Sequence, residues 1–105
     1  MEKITRGSDN VLADLGIEGA EDLSLKVQLA VAINRIIQGR RLKQAEIAVL
    51  LGVPQPKVSG LVNYKLDGFS VERLMHFLTA LDRDVEIRIR KKPRGRQDGR
   101  ILVSV

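Results

Sequence analysis

A chain of 105 residues is long enough for one compact domain with a single core and too short for two ordinary ones. The absence of cysteine excludes disulfides, thiolate metal sites and cysteine nucleophiles, and suits a reducing, cytoplasmic setting. A formal charge of +5 and a pI near 10.0 fit either a polyanionic partner or a solvated basic surface, while 3% aromatic content leaves few rings to stack on single-stranded bases. The N-terminal MEKITRGSDN lacks a signal-peptide apolar core, and no apolar run approaches the roughly 20 residues of a membrane span. Charge is unevenly placed: residues 1–24 carry two basic and six acidic side chains, whereas residues 25–105 carry sixteen basic and seven acidic ones.

In chain order, Asp9 or Asn10 can cap a short helix through VLADL that closes at Gly16, within an acidic arm over residues 1–19. The longest helix is predicted from Ala20 to Gln38, with Glu21 and Asp22 in its first turn and Gly39 ending it. Leu25, Leu29, Ile33, Ile36 and Ile37 form its apolar side, and Lys26, Asn34 and Arg35 face away. A compact helix follows over Lys43–Leu51, closed by Gly52, and another runs to Asn63 after Pro54 and Pro56. Those prolines stand where backbone N–H groups have no intrahelical partner to lose, and Pro54 pushes Val53 out of helical geometry, so the turn is enforced. Pro56 disfavours helical geometry at Gln55, which places that residue at the edge of the helix.

YKLDGF then reads as a loop, and Ser70 as the N-cap of a helix over Val71–Leu81, with Phe69 and Leu74 forming a hydrophobic staple. In DVEIRIRKK the period changes from helical to two. Val85, Ile87 and Ile89 alternate with Glu86, Arg88 and Arg90, the pattern of a half-buried strand. KPRGRQDGR is a charged loop and ILVSV a second short apolar segment, so the C-terminal part over 83–105 reads as a strand with a basic tail.

Lys43–Asn63 resembles the helix-turn-helix of the phage repressor and Cro family, the XRE family. Ile47, Leu51, Val53, Val58 and Leu61 supply its apolar positions, Ala48 the small residue where the helices touch, and Gly52 the glycine of the turn. The departure is Pro54, where a capping Ser or Thr is common; proline has no hydroxyl to cap with, at a cost of roughly 1 kcal/mol. The resemblance implies an all-α, lambda-repressor-like bundle of about five helices with the C-terminal strand as an extension, and a DNA-binding domain over 20–82. The second motif helix would lie in the major groove, where Gln55 can pair with adenine, Lys57 with guanine, and Ser59 with either base. Gln44 at the first motif helix, with Arg40, Arg41 and Lys43 before it and Asn63 and Lys65 after the second helix, would hold phosphates. Gly60 is unusual inside a helix, where it either permits close approach of a backbone or has no special role.

Over roughly residues 10–92 the chain is similar to the small HigA-like antitoxins of this family. That similarity implies an autorepressor that binds an operator palindrome as a homodimer and neutralises a RelE/HigB-like toxin ribonuclease, which the acidic arm can contact. Val85, Ile87 and Ile89 are the candidate dimerisation residues, through pairing of their strand with its two-fold mate, and a local hairpin with ILVSV is the alternative. The same residues also fit a solitary phage-type repressor or a protein-binding module without DNA affinity. His76 lacks partners for a metal site, no cofactor motif is present, and no catalytic constellation is apparent, so an enzyme is not expected.

Overall fold

A computed structural model describes residues 24–104 as four helices wrapped round one apolar core. We number them α1 (Leu25–Arg40), α2 (Gln44–Leu51), α3 (Gln55–Val62) and α4 (Val71–Ala80). The short helix expected through VLADL lies outside the described residues. Helix α1 packs chiefly on α4, and α2 on α3.

The first helix departs from the sequence reading at both ends. Ser24 is its N-cap, with extended backbone and a hydroxyl that accepts from the Val27 N–H at 3.3 Å. Helical geometry in α1 therefore begins at Leu25; Glu21 and Asp22, expected in its first turn, lie outside the described residues. At the other end Gly39 stays helical, and Arg41 takes the left-handed conformation at φ 54°. Its N–H donates to the Gln38 carbonyl and the Leu42 N–H to the Ile37 carbonyl, which seats the half-buried Leu42 against the core. This apolar anchor selects Arg41, rather than the more permissive Gly39, as the turning residue.

The other three helices end in the same paired pattern. Gly52 at φ 69° donates to Val49, and Val53 to Ala48; Tyr64 at φ 61° donates to Leu61, and Lys65 to Gly60; Asp82 at φ 65° donates to Thr79, and Arg83 to Leu78. Two non-glycine residues thus join Arg41 in a conformation disfavoured for side chains, and the two hydrogen bonds at each end offset that strain. Such pairs close helices of only eight to ten residues sharply enough to pack three of them within one small domain.

Ser70 caps α4 as expected, its hydroxyl accepting from the Arg73 N–H at 3.0 Å. Phe69 and Leu74 are both buried, and Phe69 meets Phe77 edge to face with ring centroids 5.7 Å apart. Ile33, Ile47, Val58, Leu61, Leu74 and Leu81 form the centre of the core.

Asn34 is the main correction to the predicted faces. It is buried, and its amide donates to the Leu61 carbonyl at 3.2 Å, joining the middle of α1 to the end of α3. The run LAVAI before it is apolar all round, so α1 is enclosed rather than amphipathic, and a polar side chain within it needs a partner. Lys26 is likewise only half exposed and reaches the Leu66 carbonyl at 3.5 Å.

The C-terminal part also differs from expectation. Residues 83–103 form no strand in the single chain, and no ladder joins Val85–Arg90 to ILVSV. The apolar end is held by Gln28 instead: the side-chain oxygen accepts from the Val103 N–H at 2.8 Å and the side-chain nitrogen donates to the Ile101 carbonyl at 3.1 Å. One buried amide thus pairs with this backbone as a neighbouring strand would, and Val103 and Val85 rest against the core.

Candidate nucleic-acid interface

The helix-turn-helix is built as its residue types dictate. Gly52 makes the left-handed turn, Val53 is buried beneath it, and Pro54 is the N-cap of α3 with φ −64° and ψ 150°. Having no side-chain acceptor, Pro54 contributes only its carbonyl, which accepts from Lys57 N–H at 2.9 Å and Val58 N–H at 3.4 Å. Gln55 is the first helical residue despite the Pro56 that follows it. Val58 and Leu61 are fully buried, so α3 is fixed to the core by one face. Gln55 and Pro56 stand exposed at its start, and Ser59 is half exposed one turn on.

Lys57 has a more specific position than sequence reasoning suggested. Its ammonium donates to the Gly68 carbonyl at 3.2 Å and lies 4.9 Å from the centroid of Phe69. Gly68 makes room for it, because a Cβ there would stand 2.7 Å from Lys57 Nζ. Lys57 thereby ties the start of α3 to the loop that precedes α4. The cue was present in the sequence as a glycine beside an aromatic residue, but only the fold brings it eleven residues back to the lysine.

The backbone that passes nearest Gly60 is that of Lys65, and its distance does not require a glycine. A Cβ added there would meet the Lys65 carbonyl oxygen at 3.5 Å, an ordinary contact, as the backbone turns back over the helix end. Asn63 closes that end with its side-chain amide, donating to the Ser59 carbonyl at 2.9 Å.

Arg40, Arg41 and Lys43 are exposed and lie between the end of α1 and the start of α2, and Gln44 opens α2, half-buried. The Lys43 N–H donates to the Glu46 carboxylate at 2.8 Å; this is half of a capping box, since a lysine side chain offers no acceptor. Lys65 is exposed beyond α3.

The comparisons agree with this geometry. A family model described as a helix-turn-helix domain matches residues 11–90. No curated protein matches the chain. A solved structure of a protein described as an XRE family transcriptional regulator is 61% identical, superposes with a TM-score of 0.74, and covers 80% of this chain and 94% of that one. The described helices include none long and apolar enough to cross a membrane. With the helix-turn-helix residues at their structural positions and matches of this extent, the chain belongs to the XRE family of helix-turn-helix transcriptional regulators.

Proposed function

We propose that this DNA-binding regulator reads an operator palindrome as a two-fold dimer, with Gln55, Lys57 and Ser59 against base edges and Arg40, Arg41, Lys43, Gln44, Asn63 and Lys65 on phosphates. The observation that carries the reading is the start of α3. Two prolines and a buried Val53 fix its first turn, and Gln55 stands exposed there, at the end that enters the groove in this motif. Lys57 reaches a guanine by exchanging its Gly68 carbonyl for the base, so its contact has a cost that the Gln55 contact does not. One short helix reads only a few base pairs, and pairing two copies is the usual way to lengthen the site. Val85, Ile87 and Ile89 provide the dimer contact in this reading.

Enrichment from a pool of random duplexes tests it. The expected product is an inverted repeat whose half-sites lie about one helical turn apart, or a multiple of that distance. Recovery of a single half-site would remove the dimer, and no enrichment would remove base reading.

The HigA-like resemblance adds a second role, in which the protein silences its operon and holds a RelE/HigB-like toxin. Co-expression with the product of the neighbouring gene tests this: a stable complex that relieves growth arrest supports it, and indifference of the two proteins rejects it.

A further inference from the structure

Residues 84–90 read Asp-Val-Glu-Ile-Arg-Ile-Arg, and the order of their chemistry is antisymmetric about Ile87. Two acids precede the central residue and two bases follow it, with an apolar residue between each. An antiparallel pair of such segments related by a two-fold axis at Ile87 sets Ile87 against itself and Val85 against the partner's Ile89. On the other face Glu86 meets the partner's Arg88, and Asp84 meets the partner's Arg90. Every directly opposed pair is then apolar with apolar or acid with base, the combinations that stabilise a sheet.

Other registers lose this match. Moving the centre to Arg88 opposes two arginines and sets Val85 against the partner's Lys91, and moving it to Glu86 opposes two glutamates. A half-residue shift turns the apolar residues of one strand onto the charged face of the other.

The structure leaves the apolar residues Ile87 and Ile89 of this segment exposed for such pairing. Among the described residues it forms no ladder. Ile87 is 74% exposed and Ile89 94% exposed, whereas Val85 rests against the core beside the anchored C-terminal segment. Glu86 and Arg88 already lie on one face, their charged groups 3.9 Å apart and both well exposed. We infer that residues 84–90 are a self-complementary strand, and that its occupant is the same segment of a second copy, paired antiparallel about Ile87. The partner's Ile89 then covers Val85 at the edge of the core, which gives a two-stranded ribbon the apolar support it needs. The contact is isologous, so it closes at two copies.

This inference rests on the two-fold reading above and is separable from it. The chain contains no cysteine, so single replacements report distances without background. In the proposed register the two Ile87 positions have Cα atoms about 4.5–5.5 Å apart, within the span of a disulfide. The two Arg88 positions are diagonal, at roughly 8 Å, and the two Ile89 positions are farther still. Under mild oxidation Ile87→Cys is expected to cross-link almost completely, while Arg88→Cys and Ile89→Cys remain largely uncross-linked. Glu86→Arg is expected to weaken association about tenfold, since symmetry places the repulsion twice, and adding Arg88→Glu is expected to restore it.

Sedimentation of the unmodified protein separates the failures. Efficient cross-linking at Arg88→Cys would overturn the register. A dimer that sediments normally but cross-links at none of the three positions would overturn the ribbon and leave the dimer standing. A monomer both free and on DNA would overturn both.

Discussion

Leu61→Ala is expected to lower stability by about 2–5 kcal/mol, a large part of the roughly 5–15 kcal/mol available to a domain of this kind. The side chain is fully buried and belongs to α3, while its own carbonyl receives the amide of Asn34 from α1. Truncation leaves a cavity beneath the helix that carries Gln55 and loosens the strap that holds it to α1. Thermal denaturation followed by circular dichroism is expected to show the midpoint falling by on the order of 10–30 °C. Val49→Ala is the matched control, because Val49 lies on the neighbouring helix but is 82% exposed, and its truncation should stay within about 0.5 kcal/mol. Equal effects for the two replacements would contradict the packing described for α3.

The second large effect is that of salt. Each chain carries four cationic phosphate candidates, Arg40, Arg41, Lys43 and Lys65, and the proposed dimer would bring twice that number to one operator. Proteins that neutralise 6–10 phosphates lose about 10³–10⁵-fold in affinity between 50 and 200 mM salt, through re-uptake of displaced counterions. A loss of that size is expected for the operator complex, with the logarithm of affinity falling linearly with the logarithm of salt. Removing the charge at Lys43 or Lys65 should lower the slope by about one for each neutralised contact, with little change in sequence preference. A slope near zero would mean that the cations round α2 do not meet a phosphate backbone.

How far the sequence foretold this molecule depended on how local the causes were. Ser70, the Phe69–Leu74 staple, Gly52 and the two prolines act within a few residues of themselves, and each stands where its chemistry required. Arg41 was not legible as a turning residue, because the half-buried Leu42 that selects it is anchored by distant helices. Asn34 looked like a surface position and the role of Gln28 was not legible for a similar reason: their partners lie 27 residues away at Leu61 and more than 70 away at Ile101 and Val103. The strand pattern at Val85–Ile89 was visible, but a ladder needs a neighbour, and the described residues supply none there.

At the interface, residue types were legible and geometry was not. Gln55 could be placed at the start of a helix from its spacing to Gly52 and Pro54. The position of Lys57 over Phe69 required the loop at Gly68 to be seen folded back against α3.

The measurement that bears most directly on the central claim is equilibrium binding to the duplex upstream of the gene and to a scrambled duplex of equal composition, for the native protein and for the Gln55→Ala, Lys57→Ala variant. Each lost base contact is worth about 1–3 kcal/mol of discrimination, so the native protein is expected to prefer its own duplex strongly and the variant to lose most of that preference while still binding DNA. An unchanged preference in a folded variant would contradict base reading by the start of α3, and equal, weak binding of both proteins to both duplexes would show that the helix-turn-helix serves something other than sequence recognition.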